Sequence, residues 1–185
     1  NTADVDFVDT YKLGTVKFTK AGLYKESCAE DPDDVKMLDG VEFALYEGTD
    51  TECENPVMTA TSVNGVVTFK DLKIGTYLVK ESKTIGDYII DNTVYTAEVT
   101  EAKIDTYAVL NGVQDNTLIN DLPRTDLKIE KVAEENNGIK LPNSVYGLYK
   151  ENENGEEELV AKATTDSNGV LKFDGILIGT EYTIR

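Results

Sequence analysis

Apolar and polar residues alternate along this chain in short runs, separated by Asn-Gly, Asp-Gly and Ile-Gly-Thr turn signals. No segment keeps a helical period over three turns, so the pattern predicts β-structure throughout. In GTVKFTK (14–20) one parity carries Val16, Phe18 and Lys20, and in TDLKIEK (125–131) it carries Leu127, Ile129 and Lys131. Alternate strand residues share a face, so each lysine points the same way as two core residues. An ammonium on a core face is costly unless something compensates it. The same anomaly recurs in TYLVKES (76–82), where Glu81 shares a face with Tyr77 and Val79. It recurs again at Asn120, on the parity of Leu118, and at Asp9, on that of Val5 and Phe7.

The second half of the chain repeats the first. VKFTK (16–20) matches LKIEK (127–131), and FALYE (43–47) matches YGLYK (146–150). NGVVTFKDLKIGTYLVK (64–80) matches NGVLKFDGILIGTEYTIR (168–185), with one extra residue at Glu181. Units of this length are tandem domains rather than solenoid turns, each with strands enough for its own sandwich. Residues 13–121 form the expected complete domain. Residues 122–185 form a second that stops before its last strands, at Arg185, the counterpart of Lys80. FVDTYKLGTVKFTK (7–20) aligns without gaps to LINDLPRTDLKIEK (118–131), which makes residues 1–12 the expected last strand of a preceding domain or a linker. The alternative is an N-terminal strand of the first domain itself.

Composition narrows the function. With 35 acidic against 18 basic residues the net charge is −17, and there is no histidine. No basic stripe offers itself to nucleic acid, and a histidine zinc site or a Ser-His-Asp triad is excluded. No cofactor is expected. EDPDD (30–34) and ENENGEEE (151–158) lack EF-hand spacing and read as solvated acidic loops, with no metal. No apolar run is long enough to span a membrane. With neither a leader nor an anchor pattern, the chain reads as a segment of something longer. Cys28 and Cys53 both lie in polar, loop-like stretches. A disulfide between neighbouring loops of an exported protein is one reading, and two free surface thiols the other.

Lys20, Glu81 and Asn120 make a reactive set if one core holds all three. Burial moves a lysine towards its nucleophilic neutral amine and a glutamate towards its neutral acid. Proximity then favours an amide between Lys20 Nζ and Asn120 Cγ with loss of ammonia, Glu81 acting as general acid and base. A buried Lys20–Glu81 salt bridge, or a lysine whose stem covers the core edge while its charge reaches solvent, are the alternatives.

The order GTVKFTK, VEFALYE, NGVVTFKDLKIGTYLVKES and GDYII resembles the collagen-adhesin B-type domain of Gram-positive surface proteins and pilins, also called CnaB-like or SpaA-like. Its G-x-Y-x-L-x-E signature falls at Gly75, Tyr77 and Glu81, with the apolar slot at Val79; its E-T-x-A-P-x-G-Y segment is looser here, ESKTIGDY (81–88). The resemblance implies an all-β chain of tandem reverse-immunoglobulin-like (prealbumin-like) β-sandwiches, seven strands each, the second incomplete. It also implies an intramolecular isopeptide bond, with Lys20, Asn120 and Glu81 in the three roles. Lys131 has the lysine role in the second repeat, without a glutamate or an acceptor strand. Asp9 is the acceptor for a missing upstream domain.

The expected function is a structural stalk of an exported Gram-positive cell-surface or cell-wall protein. Its partners are neighbouring domains of the same protein, and a distal region contacts host matrix or glycan. No membrane insertion is expected in this segment, and no turnover enzyme, only self-directed chemistry that happens once. The rivals are a ligand-binding adhesin module, which loops 27–37, 48–56 and 151–158 do not favour for want of aromatics, and a backbone pilin. LPRTD (122–126) resembles a sorting signal but reads as a linker, and Lys12 lacks the Pro and Asn of a pilin motif.

Overall fold

A computed structural model describes residues 11–185. The strand expected at 1–12 lies mostly outside the described residues, as does Asp9. Among the described residues, fifteen strands and two single 3-10 turns make up the regular structure, and these residues divide into two compact units. The first holds residues up to Ala21, Met37–Gly86 and Ile90–Asn120; the second holds Gly22–Lys36, Asp87–Ile89 and Asp121–Arg185. The second unit thus includes a stretch of chain from within the first repeat.

The strands of the first repeat are β1 (Gly14–Leu23), β2 (Val35–Met37), β3 (Glu42–Glu47), β4 (Met58–Thr61), β5 (Val66–Leu72), β6 (Gly75–Lys83), β7 (Val94–Val99) and β8 (Thr117–Asn120). They form two sheets, one ordered β4–β3–β6–β7, the other β2–β1–β5 with β8 also paired to β1. That is one strand more than the resemblance implies, and β2, three exposed residues, is too short to show alternation. Alternation places the core as expected. Val16, Phe18 and Lys20 on β1 are at most 1% exposed, while Lys17 and Thr19 between them are only half-buried. Phe18 meets Phe43 edge-on at 4.9 Å between ring centroids, the T-shaped geometry that aromatic quadrupoles favour. Pairing of Phe43 with Glu81 and of Leu45 with Val79 sets β3 on β6 so that the core parities coincide.

The two Asn-Gly turns differ. Asn64 and Gly65 both have positive φ (50° and 70°), and Val63 and Val66 exchange backbone hydrogen bonds around them, a two-residue hairpin. At Asn168–Gly169 only the glycine has positive φ, 73°. There Asp166 closes a longer turn, its carboxylate accepting from Asn168 N and Val170 N at 2.8 and 2.9 Å. The first repeat has Ser62 at that place, whose hydroxyl accepts from Val41 N instead. A Cβ on Gly169 would lie 2.6 Å from Lys131 O. Gly169→Ala is therefore expected to cost about 1–2 kcal/mol for the left-handed conformation alone, read as a lower urea midpoint.

The strands of the second repeat are β9 (Arg124–Glu130), β10 (Val132–Ala133), β11 (Asn136–Lys140), β12 (Val145–Glu151), β13 (Glu157–Thr164), β14 (Val170–Leu177) and β15 (Thr183–Ile184). They pair as β14–β9, β13–β12–β15 and the hairpin β10–β11. Leu127 faces Phe173 and Ile129 faces Leu171, as Val16 faces Phe69 and Phe18 faces Val67 in the first repeat. Leu148, Val160, Leu171, Phe173 and Ile176 form the core, with Cys28 and Ala29 packed against it.

Candidate functional site

Three strands of the first unit bring Lys20, Glu81 and Asn120 together. Lys20 follows Val16 and Phe18 in parity on β1, Glu81 follows Tyr77 and Val79 on β6, and Asn120 follows Leu118 at the end of β8. Their exposures are 0%, 3% and 2%, so the solvent-reaching alternative for Lys20 does not apply. Lys20 Nζ donates to Asn120 Oδ1 at 2.5 Å. Asn120 Nδ2 donates to Glu81 Oε1 at 2.7 Å, and Glu81 Oε2 lies 3.4 Å from Lys20 Nζ. One carboxylate therefore touches both the amine and the amide nitrogen, and the amine touches the amide oxygen. A hydrogen bond from Asn120 Nδ2 to Thr84 Oγ1 at 3.1 Å completes the set.

Burial lowers the pKa of the Lys20 ammonium, and the attraction and hydrogen bonding of Glu81, with a further contribution from Asp91, only partly oppose it. Asp91 is held by Tyr95, whose hydroxyl donates to it at 2.6 Å. Burial and that hydrogen bond push Tyr95 up to about 12. The site is thus a dry pocket where a neutral amine is favoured relative to water, beside a polarised amide.

Lys131 has the backbone address of Lys20. Lys131 N donates to Gly169 O and Leu141 N donates to Lys131 O at 2.7 and 3.1 Å. The corresponding bonds at Lys20 go to Gly65 O and come from Leu38 N at 2.7 and 3.0 Å. Lys131 is half-buried, and among the described residues its ammonium has no salt-bridge partner.

Cys28 and Cys53 are both free and half-buried. Cys28 packs on the core of the second unit, whereas Cys53 packs on Ala44, Tyr46 and Leu78 in the first. Polar surroundings in sequence marked both as loop residues, but each thiol belongs to a different apolar cluster.

Sequence reasoning missed a second buried charge. Glu26, in the stretch Gly22–Lys36 that belongs to the second unit, is 1% exposed. Lys150 Nζ lies 2.9 Å from both its oxygens, and Tyr182 donates its hydroxyl at 2.8 Å. Burial, then the neighbouring Glu26 carboxylate, raises the Tyr182 hydroxyl well above its ordinary pKa. Ser27 N donates to Gly175 O at 3.0 Å, and Arg124 donates to Lys25 O. Two signals could have found it. Lys150 reverses the charge of its counterpart Glu47, and the segment between lysine and next core strand is longer in the first repeat (21–42) than in the second (132–145).

The first unit is thus a two-sheet β domain with a buried amine–carboxylate–carboxamide set across its first, sixth and last strands. The model of the SpaA prealbumin-like fold domain matches residues 29–113 and 125–185, and the chain belongs to that family. Among solved structures, the Bacillus anthracis TIE protein matches at 30% identity and TM-score 0.57, over 94% of this chain and 27% of that one. The C-terminal fragment of the pilus adhesin SpaC from Lactobacillus rhamnosus GG matches at 15% identity and TM-score 0.50, over 95% of this chain and 75% of that fragment. The minor pilin GBS52 of Streptococcus agalactiae matches at 22% identity and TM-score 0.45, over 62% of this chain and 47% of that one. The chain thus spans about a quarter of the Bacillus anthracis protein. Comparison with curated protein sequences finds no match. Among the described residues no helix is long and apolar enough to cross a membrane.

Proposed function

We propose that this chain is a stalk segment of an exported Gram-positive cell-surface protein, stiffened by an amide bond that Lys20 and Asn120 form with each other. The observation that carries the reading is the triangle of contacts among Lys20, Glu81 and Asn120 in a core closed to water. Lys20 reacts as the neutral amine: Nζ attacks Asn120 Cγ, and Glu81 takes one proton from Nζ as the new bond forms and returns it to Nδ2. The C–Nδ2 bond breaks, the Nζ–Cγ bond forms, and ammonia leaves. The carboxylate ends as it began, so nothing beyond the chain is consumed. Effective concentration supplies most of the acceleration, because the fold holds the partners in contact.

For a stalk the value of the bond is mechanical. β8 pairs with β1, so tension entering at one terminal strand passes to the other through a covalent link. The strands between them need not separate. Asp9 and Lys131 hold the corresponding acceptor and amine positions for neighbouring domains of such an array, and partners are those domains. A distal region would make any contact with host matrix or glycan.

The test is intact mass: the wild type should weigh less than its sequence by one ammonia, with Lys20 and Asn120 joined in the peptide map. A full sequence mass would refute the bond. A pH effect separates the linked from the unlinked state. In Glu81→Ala, Lys20 stays a free buried amine whose folded pKa lies below its unfolded value of about 10.4. Between those two values the unfolded chain binds more protons, so stability rises with pH and levels off above the unfolded pKa. Urea midpoints of Glu81→Ala should therefore climb from neutral pH towards pH 10, a climb that the wild type, its amine consumed, lacks.

A further inference from the structure

Asn120 Nδ2 has two hydrogens, and the structure gives each an acceptor, Glu81 Oε1 at 2.7 Å and Thr84 Oγ1 at 3.1 Å. Thr84 lies just beyond the end of β6, half-buried, three residues after Glu81. An amide turned over would set its oxygen against a carboxylate and its N–H groups against the Lys20 ammonium, both repulsive. Glu81 alone cannot fix the nitrogen's second hydrogen, and Thr84 does. We infer that Thr84 is a fourth working member of the site, holding the nitrogen that departs as ammonia; the inference rests on the bond-forming reading above.

The hydroxyl acts at two moments. Before reaction it keeps Oδ1 towards Nζ and Nδ2 towards Glu81, the orientation in which the amine meets the carbonyl and the acid meets the leaving group. During reaction Nδ2 gains a proton and positive character, and a hydrogen bond from a charged donor is about twice as strong as a neutral one. Thr84 therefore favours the departing state over the resting amide, which is what raises a rate.

Thr84→Val keeps the shape and removes the acceptor, and Thr84→Ser keeps the acceptor and removes the methyl. The full chain is synthesised in a cell-free reaction and sampled over time by intact mass. Loss of ammonia is expected to slow by about tenfold or more in Thr84→Val and to proceed at close to the wild-type rate in Thr84→Ser. If the wild type itself keeps its ammonia, the bond-forming reading fails and takes this inference with it. If the wild type loses ammonia and Thr84→Val does so as fast, only the role of Thr84 is overturned. Slow reaction in both Thr84 variants would equally overturn it, pointing to packing by the methyl group.

Discussion

Glu81→Ala is expected to keep its full sequence mass, where the wild type falls one ammonia short of its own, and to unfold at a temperature lower by on the order of 20 °C. The size follows from the loop that the bond closes. Lys20 and Asn120 are 100 residues apart, and the chain-entropy model assigns such a cross-link about 4–5 kcal/mol. A domain of this length shifts its midpoint by about 4–8 °C per kcal/mol. Removing Glu81 also strips the Lys20 ammonium of its buried partner, which adds to the loss. The double variant Lys20→Met, Glu81→Leu separates the two effects, because it abolishes bond and buried charge together. Its midpoint should lie above that of Glu81→Ala and below the wild type. A wild type at its full sequence mass would leave the pair as a salt bridge alone, with Glu81→Ala still destabilised by the loss of the buried partner.

Lys150→Met should be the most damaging single change in the second unit, at about 3 kcal/mol. It leaves the Glu26 carboxylate, 1% exposed, with only the Tyr182 hydroxyl for company. Glu26→Gln should cost less, since the Lys150 side chain is 19% exposed and can turn to water. Hydrogen exchange reads the two variants locally: protection of Ser27 N, which rests on Gly175 O, should fall in both. Cys28 provides a second readout. Its packing on the second unit's core should loosen, and its reaction with a thiol reagent should quicken while that of Cys53 stays constant. Unchanged Cys28 reactivity in Lys150→Met would mean that the ion pair does not hold the segment in place.

The contrast between these two buried carboxylates shows what a sequence makes legible. Glu81 sits on a strand, and strand parity ties it to Tyr77 and Val79 whatever the rest of the molecule does. Lys20 and Asn120 are legible for the same reason, and so are the sheets that carry them. Glu26 sits in KESCAEDPDD, where its neighbours Glu30, Asp31 and Asp34 are exposed or partly exposed and nothing periodic singles it out. Its burial is decided by residues more than a hundred positions away. The surroundings of the cysteines were hidden for the same reason: polarity in sequence identifies a loop but not the surface on which that loop comes to rest. Thr84, beyond the last alternating residue of β6, had no parity to read.

On the bond-forming reading proposed above, the placement of Lys20, Glu81 and Asn120 on three separate strands also makes the reaction a clock. β8 is the last strand of its repeat to be synthesised, and Asn120 reaches Lys20 only once the longest loop of the domain has closed, a step slowed by its high contact order. A chain threaded through a membrane as an unfolded polymer keeps amine and carboxamide apart throughout the passage. Bond formation then converts a reversible last step of folding into an irreversible one. Each domain would be locked in the order in which it completes itself, on the far side of the membrane.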